Sequence, residues 1–384
     1  MNVKFGDVVK EVKSNVDRAN NPYEFYVAGD HMDSEDFRIH RHGCFATDDV
    51  GPAFVRIFHP GQVLYGSRRT YLKKVCVADF DGICANTTFV LETKDENVLV
   101  QRLLPFLLLS NGFTEWSIKH SKGSTNPYVL FSDLAGYEFD LPPLDEQKKL
   151  AELLWAANDL KESYKKAITA TDEMLKAKFR EMFGECRVDD ARGGAETQGV
   201  LLRDATEVIL DGEHGSVPRV NDGYLFLSAR NIQADDRIHL DAVTRISNEN
   251  YERIARRFNP CNGDLLLTCA GTIGNVAIVP EMEPFVADRG IMLIRPDKSK
   301  IIAKFLFYTL KSDDIVKQMR NSTHATALAH LYIRKVQELQ IPLPPLSLQR
   351  EFVVIADKAE SAKANLKKSI AAIDQVMKGL INNV

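Results

Sequence analysis

The chain has 384 residues, of which 45% are hydrophobic and 27% charged, and a formal net charge of −4. This is ordinary globular composition, too long for one typical core, so two or more domains are expected. The apolar runs are too short for a membrane helix, the amino terminus lacks the apolar stretch of a signal peptide, and none of the six cysteines forms a C-x-x-C pair; a reduced, cytoplasmic protein is the expectation.

In chain order, residues 1–142 hold short apolar runs such as "VLY", "KKVCVADF" and "TTFVLE", separated by Gly, Pro and Asp, and then a helical candidate, "VLVQRLLPFLLLS". This is the punctuation of strands and turns. Pro142-Pro143 follows, and a proline pair is tolerated just before a helix but not inside one. Residues 143–184 read as one long helix, ~60 Å over its 40 helical positions. A polar, Gly-rich linker occupies 185–200. Residues 201–342 repeat the strand punctuation ("YLFLSA", "DLLLTCA", "GNVAIV", "IMLIRP"), Pro344-Pro345 follows, and 343–384 read as a second long helix. No segment is strongly basic, so phosphate binding has to come from local clusters.

The two halves are copies. "LPPLDEQ" at Leu141 returns as "LPPLSLQ" at Leu343, an offset of 202 residues. The same offset places Gly61 on Gly263, Thr70 on Thr272, Lys161 on Lys363 and Asp172 on Asp374, which indicates tandem duplication. Both helices carry small and apolar residues at three- and four-residue steps: Leu150, Leu153, Ala157, Leu160, Tyr164, Ala167, Thr171 and Met174, then Phe352, Ile355, Ala359, Ala362, Leu366, Ser369, Ile373 and Val376. Read as heptad seams, these predict that the helices pair. The fold expected is α+β: two similar mixed domains separated by a pair of long antiparallel coiled-coil helices, with an internal pseudo-two-fold. Two like heads on a rigid spacer suit the reading of two separated marks on DNA, within an upper bound of roughly 17 base pairs for a ~60 Å spacer.

With its paired domains, each closed by "FDLPPLDEQ" or "IPLPPLSLQ" and a spacer helix, the chain resembles the specificity subunits of type I restriction-modification enzymes. The resemblance implies a noncatalytic subunit in which each half reads part of a bipartite double-stranded DNA target. It implies that the spacer helices hold two methyltransferase (modification) subunits and that separate restriction/translocase subunits cut. It places no cofactor in this chain, with S-adenosylmethionine and ATP/Mg on the partner subunits.

The densest basic cluster is "YGSRRTYLKK", where Ser67, Arg68, Arg69, Tyr71, Lys73 and Lys74 combine guanine-edge donors, phosphate ligands and an aromatic platform. Its counterpart "CAGTIGN" is uncharged; its glycines let backbone amides approach phosphate, and Thr272 and Asn275 can hydrogen-bond. "DGEHGSVPR" offers His214, Ser216 and Arg219, and "SARNI" offers Arg230 and Asn231, where the first half has Asp30 and His31. Two other readings compete: a metal-dependent nuclease using Asp81, Glu92 and Lys94, and a scaffold whose heads bind protein. "HRHGC" (His40, His42, Cys44) resembles a zinc cluster but has no partner spacing, and no phosphate-loop motif is present.

Overall fold

Strands form where β-branched and aromatic residues crowd together, and in the computed structural model, which describes residues 1–184, 199–322 and 330–382, they build the same motif twice. By its contacts the chain divides into two units, Met1–Lys166 with Leu366–Val384, and Ala167–Asn365. Each unit therefore takes one end of each long helix. The linker expected at 185–200 lies almost wholly outside the described residues.

The first unit has a four-stranded antiparallel sheet in the order Val9–Glu11, Thr88–Thr93, Val63–Gly66, Val75–Val77. Its strands are buried on both faces. Phe89, Leu91, Val63 and Tyr65 face one apolar cluster, and Val90 and Leu64 face another. The period-2 alternation thus feeds two cores, which is why these strands read as unbroken apolar runs. A second sheet, ordered Gly43–Cys44, Phe25–Val27, Gly82–Ala85, Phe54–Phe58, contains one parallel pair, Phe25–Val27 with Gly82–Ala85.

The second unit repeats the arrangement. Thr206–Asp211, Ile291–Pro296, Leu265–Thr268 and Val276–Ile278 form its four-stranded sheet. Leu265, Leu267, Met292 and Ile294 face one cluster, while Leu266, Ile291 and Leu293 face the other. Tyr224–Leu227 pairs in parallel with Phe285–Ala287 and antiparallel with Thr244–Ile246. The early part departs from the first unit, with a helix at Asn248–Ala255 capped by the Ser247 hydroxyl.

The long helices run over Leu144–Phe183 and Leu346–Ile381. Their starts are locked by one buried glutamine each. Gln147 donates from Nε2 to Pro142 O and Val98 O, both at 2.9 Å, and accepts from Val100 N at 3.0 Å. Gln349 does the same with Pro344 O and Lys300 O at 2.8 Å and Ile302 N at 2.9 Å. The recurring glutamine of Leu-Pro-Pro-Leu-x-x-Gln thus ties the helix start to the loop leading out of the sheet.

Within each unit the helix ends pack antiparallel. In the first, Ala151 and Leu154 share a core with Met377 and Ile381, and Lys161 Nζ lies 3.0 Å from Asp374 Oδ1. In the second, Phe179 and Phe183 meet Phe305 and Phe352 at ring-centroid distances of 4.9–5.7 Å, and Lys363 pairs with Asp172. The two ion pairs are images of one another under the 202-residue offset. Burying each Phe contributes about 1.5–3 kcal/mol.

The seam sits one residue away from the expected one on the first helix. Gln147, Ala151, Leu154, Asn158, Lys161, Leu175 and Phe179 are buried, whereas Leu153, Leu160 and Met174 are 44–54% exposed. On the second helix Gln349, Phe352, Ala356, Ala359, Met377 and Ile381 are buried, while Val354 and Val376 are 52% and 61% exposed and Ala362 and Ser369 also face solvent. Counting apolar residues misplaced the seam on the first helix because Gln147, Asn158 and Lys161 occupy buried positions there, Gln147 bonded to backbone groups and Lys161 paired with Asp374.

Candidate nucleic-acid interface

In the first unit the turn between Val63–Gly66 and Val75–Val77 carries all six candidates from the basic cluster. Arg69 and Lys73 have left-handed backbones, φ +50° and +49°, on either side of a tight turn at Thr70–Leu72. Such a conformation costs an L residue on the order of 1 kcal/mol or more, so the fold has to hold it. Arg69 N donates to Pro127 O at 2.6 Å, Lys73 N to Thr70 O at 2.9 Å, and Glu35 N to Lys73 O at 3.1 Å.

This framework divides the cluster. Ser67 is buried and its hydroxyl donates to Thr87 O at 2.6 Å. Lys73 Nζ lies 3.3 Å from Glu35, and Lys74 Nζ donates to Gly29 O. These three shape the loop. Arg68, Arg69 and Tyr71 point outward, with Tyr71 53% exposed. Neither arginine has a carboxylate within 4 Å among the described residues, and the Arg68 guanidinium lies 6.0 Å from the Tyr128 ring centroid.

The second unit presents the same turn, residues 269–275, between Leu265–Thr268 and Val276–Ile278. A backbone bridge from Arg68 to Tyr128 in the first unit recurs as one from Ala270 to His330. Here the left-handed positions belong to Gly271 and Gly274, and a Cβ on either would meet open space. Thr272 is exposed; Asn275 is half-buried and spends its Nδ2 on Ile232 O at 3.0 Å. His214 and Ser216 are exposed, with His214 3.6 Å from Asp211. Arg219 is exposed, rests 4.2 Å over the Phe226 ring and donates to Val217 O.

Arg230 is exposed, but its neighbour Asn231 is buried. Asn231 Oδ1 accepts from Ser228 N at 2.9 Å and Nδ2 donates to His239 O at 2.8 Å. His31 in the first unit does the equivalent work, its Nδ1 standing 3.2 Å from Ala28 N. Asn231 is therefore a turn cap whose polar atoms are engaged.

The groups considered for catalysis are each engaged by other partners. Asp81 lies 2.6 Å from His59, Glu92 bonds Gln62 at 2.7 Å and Lys10 at 3.1 Å, and Lys94 donates to Gly6 O at 2.6 Å. Of "HRHGC", His42 packs on Phe25 at 4.3 Å, whereas His40 joins Asp36 and Glu162, the ligand atoms of these three lying within 4.8 Å of one another. The Lys165 ammonium, 3.1 Å from Asp36 and 2.7 Å from Glu162, supplies the positive charge there. Burial pushes the Asp36 carboxyl up, but the Arg38 amide, Lys165 and His40 together hold it below the usual carboxylate range.

Sequence comparison bears on this duplicated, loop-bearing fold. The family model for the type I restriction modification DNA specificity domain matches residues 51–170 and 219–375. The chain belongs to this family. The EcoDI specificity subunit of Escherichia coli is 26% identical over 207 residues, covering 51% of this chain and 45% of that protein, so the match spans less than half the relative. A chain solved in work on complex assembly and conformational transition of the type I R-M system shares the fold with a TM-score of 0.61 at 19% identity, covering 100% of this chain and 96% of that one. The type I S subunit from M. genitalium does so with a TM-score of 0.55 at 15% identity, covering 100% and 95%.

Two features of this specificity-domain chain escaped sequence reading. The clamping role of Gln147 and Gln349 was hidden because a glutamine near a helix start reads as surface. Arg289, exposed in the turn of "FVADRGIMLI", stands at the position of Thr87 in the first unit. The match is structural as well: Cys269 Sγ lies 3.1 Å from Arg289 O, as Ser67 Oγ lies 2.6 Å from Thr87 O.

Proposed function

We propose that this chain is the noncatalytic DNA-reading subunit of a type I restriction-modification complex, each unit reading one part of a split double-stranded target. The observation that carries this reading is the repeated hairpin turn. One fold position, built twice, bears Arg68, Arg69 and Tyr71 in one unit and Gly271 and Thr272 in the other. Equal frameworks with unlike chemistry suit the recognition of two different half-sites. Arginine provides bidentate donors to guanine, and glycine-backed amides provide phosphate contacts.

In this proposal exposed apolar side chains of the long helices, Leu153, Leu160 and Val376 in the first unit and Met174 and Val354 in the second, provide docking surfaces for two methyltransferase subunits. They lie off the buried seam, and Met174 and Val376 are equivalent positions in the two halves. S-adenosylmethionine and ATP with magnesium belong to the partner methyltransferase and restriction/translocase subunits, and the assembly works in the cytoplasm. Footprinting the chain with its methyltransferase subunits on random-sequence DNA tests the reading. Two protected blocks with a constant gap are expected; a protein that assembles yet protects no DNA supports the scaffold reading, and magnesium-dependent cutting by the chain alone supports the nuclease.

A further inference from the structure

Three arginines from separate segments of the second unit come to one surface. Arg230 lies in the turn Ala229–Asn231 after strand Tyr224–Leu227. Arg289 lies just after Phe285–Ala287, the parallel neighbour of that strand, and Asp288 N donates to Leu227 O at 2.9 Å. A Cβ built on Gly290 would stand 3.3 Å from Ala229 Cβ, so the two turns touch. The loop that carries Arg219 is stitched to the same place: Glu213 N donates to Ala287 O at 2.8 Å, and Arg289 N donates to Glu213 O at 2.9 Å. Gly212 makes that approach possible, since a Cβ there would fall 2.1 Å from Asp288 O.

All three arginines are exposed, and none has a carboxylate within 4 Å among the described residues. Their common anionic neighbour is Asp288, which is half-buried and spends Oδ1 on the Gly290 amide at 2.8 Å. Arg253 and Arg257 behave differently: they pair with Glu213 at 3.3 Å and Gly212 O at 2.9 Å and brace the loop from beneath. Three guanidiniums gathered around one engaged carboxylate leave a local excess of positive charge, which favours a ligand carrying several negative charges. The first unit lacks this feature, having Asp30 and Thr87 in place of Arg230 and Arg289.

We infer that Arg219, Arg230 and Arg289 form a phosphodiester-binding cluster through which the second unit grips the DNA backbone beside its reading turn. The inference rests on the DNA-reading function proposed above and adds where this unit's affinity originates. The first unit carries its free arginines on the hairpin turn; the second carries its own on the neighbouring turns and keeps the hairpin uncharged.

The test is DNA binding by the full chain with its methyltransferase subunits, measured against salt. Arg230→Ala and Arg289→Ala are the informative variants, because Arg219 also covers Phe226. Each is expected to weaken binding about tenfold on target and nontarget duplexes alike and to lower the log K against log salt slope by about 0.9, the value for one lost phosphate contact. Arg289→Lys should retain most of the affinity, Arg203→Ala should leave it unchanged, and inorganic phosphate at matched ionic strength should not compete. An Arg230→Ala/Arg289→Ala double variant that folds and binds with the parental affinity and slope overturns the cluster. So does a loss confined to one base-pair identity, which indicates base reading, or efficient competition by inorganic phosphate. A parental complex that binds no DNA overturns the proposed function itself.

Discussion

Replacing Gln349 by leucine removes the clamp at the start of the second long helix. Leucine keeps the apolar bulk but leaves Ile302 N without its acceptor and Pro344 O and Lys300 O without their donor, at a side chain with 0% exposure. A buried unsatisfied amide costs about 1–3 kcal/mol, and two carbonyls that lose their donor bring the total to about 3 kcal/mol. For a unit the size of Ala167–Asn365, each kcal/mol lowers Tm by about 2–4 °C, so the substitution should lower it by about 6–12 °C. Gln147→Leu should cost a similar amount, since Gln147 makes the corresponding three bonds at 1% exposure. Differential scanning calorimetry of the full chain is the assay. A shift under about 2 °C in both variants would refute the clamp and reduce the motif's glutamine to a surface residue.

Acid should act through Asp36. Its folded pKa is depressed, so its contribution to stability is present above the ordinary carboxylate range, about pH 4, and is lost as pH falls through the folded value. The stability gap between the parent and Asp36→Asn, measured by urea unfolding, should therefore be widest near neutrality and close below about pH 4; a gap independent of pH contradicts the assignment. Arg68→Ala/Arg69→Ala should weaken DNA binding at least tenfold with little change in Tm, because neither side chain has an ion-pair partner among the described residues; unchanged affinity in a gel-shift titration removes the first hairpin from the interface. Leu153→Glu/Leu160→Glu should abolish co-purification with methyltransferase subunits while leaving thermal unfolding within about 2 °C, since both side chains are already in solvent; intact assembly would place the docking surface elsewhere.

Much of the fold can be read from the sequence because duplication makes it redundant. The proline pairs mark both helix starts, and the apolar runs mark the sheets. Less can be read from the helix seam. Asn158 and Lys161 occupy buried positions, while Leu153 and Leu160, one step away, face out. A hydrophobic count follows the leucines, but the fold follows cross-helix charge pairs such as Lys161 with Asp374. At the candidate interface, residue type showed where the polar groups cluster but not which way they face. Ser67, Lys74 and Asn231 read as donors to a ligand, yet backbone carbonyls of the fold take them up. Arg289 becomes prominent only when strand pairing brings its turn against that of Arg230.

Methylome sequencing of a host carrying the complete system, before and after residues 201–342 are exchanged for the corresponding segment of another family member, tests the central claim most directly. The account predicts a split methylated motif that disappears without the gene and changes in only one half after the exchange. Methylation at an unsplit motif, a change in both halves, or a methylome indifferent to the gene would contradict it.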